Sequence, residues 1–216
     1  MRGLLWALLG AATGFKVITR ARIDVPRLRL TGQTFGYANV SVKKFMTPLV
    51  IAVCAALFYG LEQRLEETFT VLAFGLLVAV GVLLTLIDID THLLPRRIVY
   101  GATALAIPLL LLAALNNKEG EVLGMFIGAI AMRVFLRVLQ VLSRGDMGSG
   151  DVTLGGFLGL YLGWISFETV LVGLLAGFLA GGVFALFAVI LRKAGRNTRF
   201  AFGPFLIVGA LVAVLR

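Results

Sequence analysis

Residues 153–191 read TLGGFLGLYLGWISFETVLVGLLAGFLAGGVFALFAVIL, 39 residues whose one charged side chain is Glu168. As a single helix this run would be about 58 Å long at 1.5 Å per residue, roughly twice the ~30 Å hydrocarbon core of a bilayer. It therefore reads as two crossings, with the break at Ser166-Phe167-Glu168, where polar side chains interrupt it. Strands do not fit. A membrane strand alternates polar and apolar residues, and nothing alternates here.

The rest of the chain has the same character. Its 216 residues are 60% hydrophobic and 14% charged, with a mean hydropathy of +1.01. A soluble domain carries about a quarter charged residues and under half apolar ones. That excludes a soluble enzyme, a disordered chain and a secreted disulfide scaffold. The single cysteine, Cys54, lies in an apolar run and can form neither an internal disulfide nor a Cys-cluster zinc site. No metal and no cofactor is expected. The formal charge of +9 does not imply nucleic acid, because the basic residues fall between apolar runs, where cytoplasmic loops place them.

Eight apolar stretches emerge, over 3–18, 45–61, 69–87, 98–115, 122–142, 153–165, 169–191 and 201–215. The fold expected is all-α, a polytopic membrane protein of about eight transmembrane helices. Arg2 and the run Leu4–Gly14 resemble the start of a secretory signal. No A-x-A site follows, and Lys16, Arg20 and Arg22 come after the run rather than before it. A retained first helix fits better. Residues 19–44 then form a short basic loop. No internal repeat or linker divides the chain, so 1–216 reads as one transmembrane domain.

Alternating eight spans gathers sixteen of the twenty Lys and Arg residues on one side and leaves Arg2, Arg64, Lys118 and Arg216 on the other. The positive-inside rule makes the first side cytoplasmic and puts both termini outside. Gly155, Gly159 and Gly163 recur every fourth residue, as do Gly173, Gly177 and Gly181. Each set makes a small-residue face, which is how helices approach closely where lipid supplies no hydrophobic drive.

Eleven acidic residues are few enough to sort. Glu62, Glu66, Glu67, Glu119, Glu121 and Glu168 fall in external loops, and Asp24 in the basic cytoplasmic loop, all expected to be solvated. Asp88, Asp90, Asp146 and Asp151 lie at cytoplasmic helix ends. Asp88 closes the third span, where the negative end of the helix dipole meets it; a cation would suit that place better. Asp151 follows Gly148-Ser149-Gly150 and opens the sixth, where an N-cap role is the plain alternative. Two carboxylates brought within a few Å cannot both be ionised, which supplies a general base for water and a general acid for a leaving amine. Asp90 and Asp146 read as loop residues, and the lone His92 is given no role. There is no Walker loop, no Ser-His pairing and no H-E-x-x-H.

At these residues the chain resembles the type IV prepilin peptidase family of GxGD membrane aspartyl proteases. Leu86-Ile87-Asp88-Ile89-Asp90-Thr91-His92-Leu93-Leu94-Pro95 resembles the family's first motif. Met147-Gly148-Ser149-Gly150-Asp151 resembles its G-x-G-D motif, and Phe202-Gly203-Pro204-Phe205 a terminal F-G-P-F element. The resemblance covers most of 69–215. It implies cleavage of the basic leader of type IV pilin-like precursors at the cytoplasmic membrane surface, with Asp88 and Asp151 as the catalytic pair. Gly148 and Gly150 would shape the approach of substrate. Many family members carry two Cys-x-x-Cys pairs and a methyltransferase activity. The 19–44 segment has no cysteine, so methyl transfer is not expected. Arg96 stands where an acidic or amide residue is common, and Thr153 where Lys is usual. Two other classes remain open: a membrane scaffold in which both aspartates are caps, and a small proton- or cation-coupled transporter. Presenilin-like relatives are disfavoured by the missing Tyr-Asp and Pro-Ala-Leu motifs.

Overall fold

The computed structural model describes residues 2–30 (side chains to Val25), 46–65, 67–117, 120–143, 147–191 and 201–216. Among them are eight α-helices and no strand: α1 (Arg2–Leu30), α2 (Met46–Arg64), α3 (Thr68–Thr91), α4 (Arg96–Asn117), α5 (Val122–Leu142), α6 (Ser149–Ile165), α7 (Phe167–Ile190) and α8 (Gly203–Leu215). The protein is a multi-pass membrane protein. Six helices, α1 to α5 and α7, are long and apolar enough to cross a bilayer. The other two are shorter, 17 residues for α6 and 13 for α8, or about 26 and 20 Å at 1.5 Å per residue.

The break in the 153–191 run falls at Ser166. Its backbone is extended and its side chain accepts a hydrogen bond from the Thr169 amide at 3.1 Å. Ser166 thus stops α6 and caps α7. The first helix departs from expectation: it continues past residue 18 to Leu30, through part of the expected loop. Val17, Ile18, Ala21 and Val25 form a buried stripe at helical spacing, while the arginines between them point away. Arg20 pairs with Asp24 at 2.8 Å across one turn, so Asp24 is an ion-pair partner rather than a solvated loop residue. The remainder of the expected loop, 31–45, lies outside the described residues.

Helices alternate in direction. Gly10 sits against Cys54 and Phe58, and Gly14 against Val50 and Ile51, so α1 and α2 run antiparallel. Gly124 meets Gly163 and Gly128 meets Gly159, which makes α5 antiparallel to α6; Gly173 near Ala210 and Gly181 near Phe202 do the same for α7 and α8. Both small-residue faces therefore serve close helix packing. The alternation gathers the end of α3 and the starts of α4, α6 and α8 at one end of the bundle.

At the centre stands α6, buried at every residue from Gly150 to Trp164. Its neighbours are helices on all sides: α5 above all, then α4, α7, α8 and α3. Length matters less for a helix walled by protein than for one in lipid, which accounts for a short sixth apolar run. Phe74 of α3 meets Tyr161 and Trp164 of α6 edge-on, with centroids 5.2 and 5.7 Å apart. Such pairs contribute about 0.5–1.5 kcal/mol each beyond burial. They hold α3 and α6, which carry Asp88 and Asp151, in fixed register.

Candidate active site

Asp88 belongs to the last full turn of α3, which runs on to Thr91 rather than closing at the aspartate. His92 then caps the helix in the left-handed region at φ 51°, its amide bonding the Asp88 carbonyl at 2.8 Å. A non-glycine residue there costs free energy and persists where the surroundings enforce it. The reversal at His92 directs Leu93-Leu94-Pro95 back across the end of α3 and starts α4 at Arg96.

Asp151 occupies the first turn of α6, whose N-cap is Gly148. The carboxylate is therefore at the third helical position and not the cap itself. It turns back toward the Gly148 and Asp151 amides, the acidic half of a capping box. The glycines on either side of Ser149 are tight. A methyl on Gly148 would come within 3.0 Å of Asp151 Oδ2, and one on Gly150 within 2.6 Å of Leu94 Cβ. Gly150 thus lets the start of α6 lie directly on the 92–95 turn. The Arg96 guanidinium donates to Ser149 Oγ across the same junction.

These local features bring together two carboxylates that lie 63 residues apart in the chain. Asp88 and Asp151 line one cavity of about 700 Å³, with His92, Leu93, Leu94, Pro95, Arg96, Arg97, Gly148, Ser149 and Gly150 around them. Asp88 is 4% exposed and Asp151 8%. The two carboxylates are close enough for ionisation of one to disfavour ionisation of the other. Asp88 Oδ2 and Asp151 Oδ1 are buried oxygens without a hydrogen-bond partner among the described residues. Gly203, the first residue of α8, turns its amide toward Asp88. A methyl there would stand 2.8 Å from Asp88 Oδ2 and 2.9 Å from a Leu94 methyl. The positive end of α8 thereby faces the carboxylate that the dipole of α3 disfavours. No group of three or more potential metal-ligating side chains occurs among the described residues.

The family's sequence profile, that of the type IV leader peptidase family, matches residues 75–186, more than half the chain and inclusive of both aspartates. The chain belongs to this family. The prepilin leader peptidase/N-methyltransferase of Aeromonas salmonicida (strain A449) is 31% identical over 176 residues, covering 78% of this chain and 57% of its own length. Its Legionella pneumophila counterpart is 26% identical over 173 residues, 76% of this chain and 55% of its own length. That of Bacillus subtilis (strain 168) is 24% identical over 171 residues, 79% and 66% respectively. The chain thus spans between just over half and two thirds of the length of these curated relatives. No solved structure matches it.

Two residues at the site, and one buried close to it in the chain, differ from what the sequence led one to expect. His92 lines the cavity with a buried Nδ1, and the only hint was a histidine in a tight turn between helix and proline. Gly203 approaches Asp88, which the F-G-P-F element signalled without saying which residue it faced. Asp90 is 3% exposed inside α3, not a loop residue, because the helix extends a turn beyond the apolar run. Asp146 lies outside the described residues.

Proposed function

We propose that this chain is an intramembrane aspartic endopeptidase that removes the basic leader of type IV pilin-like precursors at the cytoplasmic face of the cell membrane. The observation that carries this reading is the pair of buried carboxylates from α3 and α6 on one cavity, in a chain of the leader peptidase family. In the proposed reaction one aspartate, ionised, takes a proton from water as the oxygen adds to the scissile carbonyl. The other, protonated, gives its proton to the departing amine as the C–N bond breaks. Asp88 and Asp151 fill these two roles, and no cofactor is needed. Gly148 and Gly150 line the cavity without side chains of their own, where an extended peptide backbone would pass Asp151. The whole chain acts as one peptidase domain, and it cleaves without methylating the new amine.

The test is leader cleavage of a pilin-like precursor in liposomes by wild type, Asp88→Asn and Asp151→Asn. Each variant should lose activity by roughly 10²-fold or more, the scale of a lost general acid or base, with thermal unfolding unchanged. Mass spectrometry of the product, with S-adenosylmethionine present, should give an unmethylated mature N-terminus. Retained cleavage in either variant removes that residue from the mechanism, and a wild type inert on several precursors removes the reading itself.

A further inference from the structure

Between α4 and α5 the bundle is open. Each packs on α6, but they make no substantial contact with one another, so a groove runs between them with α6 as its floor. At the end shared with Asp151 the groove is a cavity of about 370 Å³ whose charged lining is Arg96, Arg133 and Arg137, with no carboxylate. Toward the bilayer interior it continues as an apolar trough of about 210 Å³ over Ile107, Phe126, Ile130, Phe157 and Leu160. The two share Tyr100, Arg133 and Thr153. The registers descend together: 96, 100, 103, 107 on α4; 137, 133, 130, 126 on α5; 149, 153, 157, 160 on α6. It is one continuous groove, charged at its mouth and apolar below.

The three guanidinium groups meet only neutral partners among the described residues. Arg96 donates to Ser149 Oγ, Arg133 to the Tyr100 hydroxyl at 3.5 Å, and Arg137 to Gln140 Oε1. Three cations without a counter-ion among the described residues favour an anionic occupant. The trough, open sideways where Ile130 is 63% exposed, favours one with a long apolar tail. We infer that this groove binds a single anionic phospholipid, with its phosphodiester between Arg96, Arg133 and Arg137 and an acyl chain along the trough. Basic pockets between transmembrane helices at the cytoplasmic end take such headgroups, and phosphate suits the planar donor fork of arginine. The inference does not depend on the peptidase reading, although Arg96 also lines the Asp88–Asp151 cavity.

The experiment uses the full chain in nanodiscs of phosphatidylcholine with a minor fraction of phosphatidylglycerol, released into neutral detergent for native mass spectrometry. Wild type should retain one phosphatidylglycerol in preference to phosphatidylcholine, and Arg133→Gln with Arg137→Gln should cut that preference by roughly tenfold or more. The Lys pair at the same two positions should keep most of the preference and so controls for folding. Ile130→Trp, at an exposed position, should weaken retention by filling the trough. Equal retention of both lipids, or of phosphatidylglycerol by the Gln pair, overturns the inference. So does displacement by inorganic phosphate alone, which would mean a plain anion site. Capture of a pilin-like precursor instead of lipid by a photocrosslinker at position 130 would assign the groove to peptide and overturn it equally.

Discussion

Asp88 stands at the negative end of α3 and is offered the positive end of α8, and Gly203 is the residue that permits this. Any side chain at 203 must displace Asp88 or Leu94, since a methyl already falls 2.8 and 2.9 Å from them. Gly203→Ala should therefore lower kcat about tenfold or more with a smaller change in KM, because displacement of a reacting group by about 1 Å can cost up to ~10² in rate. Unaltered cleavage would mean that α8 does not position Asp88. Asp151→Asn separates the helix-end role from catalysis, since the Asn side-chain oxygen can still accept from the amides at the start of α6. With the melting temperature unchanged, lost cleavage supports the catalytic role and retained cleavage supports a role at the helix end alone. Asp90 makes the complementary case. It is buried but is not among the cavity's lining residues, so Asp90→Asn should lower thermal stability while cleavage stays within a few-fold. Because the proposed chemistry needs one carboxyl protonated and the other ionised, cleavage by wild type should fall at both acid and alkaline pH. A rate flat across the range would speak against a shared proton. The two aspartates were legible from their neighbours in sequence. Gly203 and His92 were not, because what they do depends on a contact 115 residues away in the chain and on a backbone angle.

At the level of helices, the closest packing is the seam between α5 and α6. Gly128 and Gly159 meet backbone to backbone, as do Gly124 and Gly163, and a Cβ on Gly159 would overlap the Gly128 carbonyl. The energy of such a seam comes from dispersion and weak backbone contacts that only small residues allow. Gly159→Val should destabilise the protein by about 1–3 kcal/mol through overpacking, or prevent its accumulation. Gly182→Val, where nothing lies within 4 Å, should be neutral by the same thermal assay, and equal effects at the two positions would refute the seam. The glycine period was legible because it repeats on a helical face, and so were most helix boundaries, since charge and polarity mark where hydrocarbon ends. Two element-scale features were not legible. The extension of α1 to Leu30 was masked by arginines that lie between buried positions rather than beyond them. The central place of α6 was hidden because a helix buried in protein and one facing lipid are both apolar.

Over the whole bundle, the described arginines divide by end as the sequence divides them. Arg20, Arg22, Arg96, Arg97, Arg133 and Arg137 belong to the part of the molecule that holds Asp88 and Asp151, while Arg2, Arg64 and Arg216 belong to the opposite end, where Arg216 pairs with Glu168 at 3.5 Å. This asymmetry predicts orientation, because basic residues are retained on the cytoplasmic side during insertion. The chain is well suited to a direct test. Its one cysteine, Cys54, is fully buried against α1, so a Cys54→Ala background offers no reactive thiol. Gln63→Cys, at the exposed end of α2, should react with a membrane-impermeant maleimide in intact cells. Ser143→Cys, at the end of α5, should react only after the membrane is permeabilised. The reverse pattern would place the Asp88–Asp151 cavity outside the cell. A leader peptidase could not then meet precursors whose basic leaders stay in the cytoplasm, and the proposed function would fail on topology however well the two carboxylates were placed.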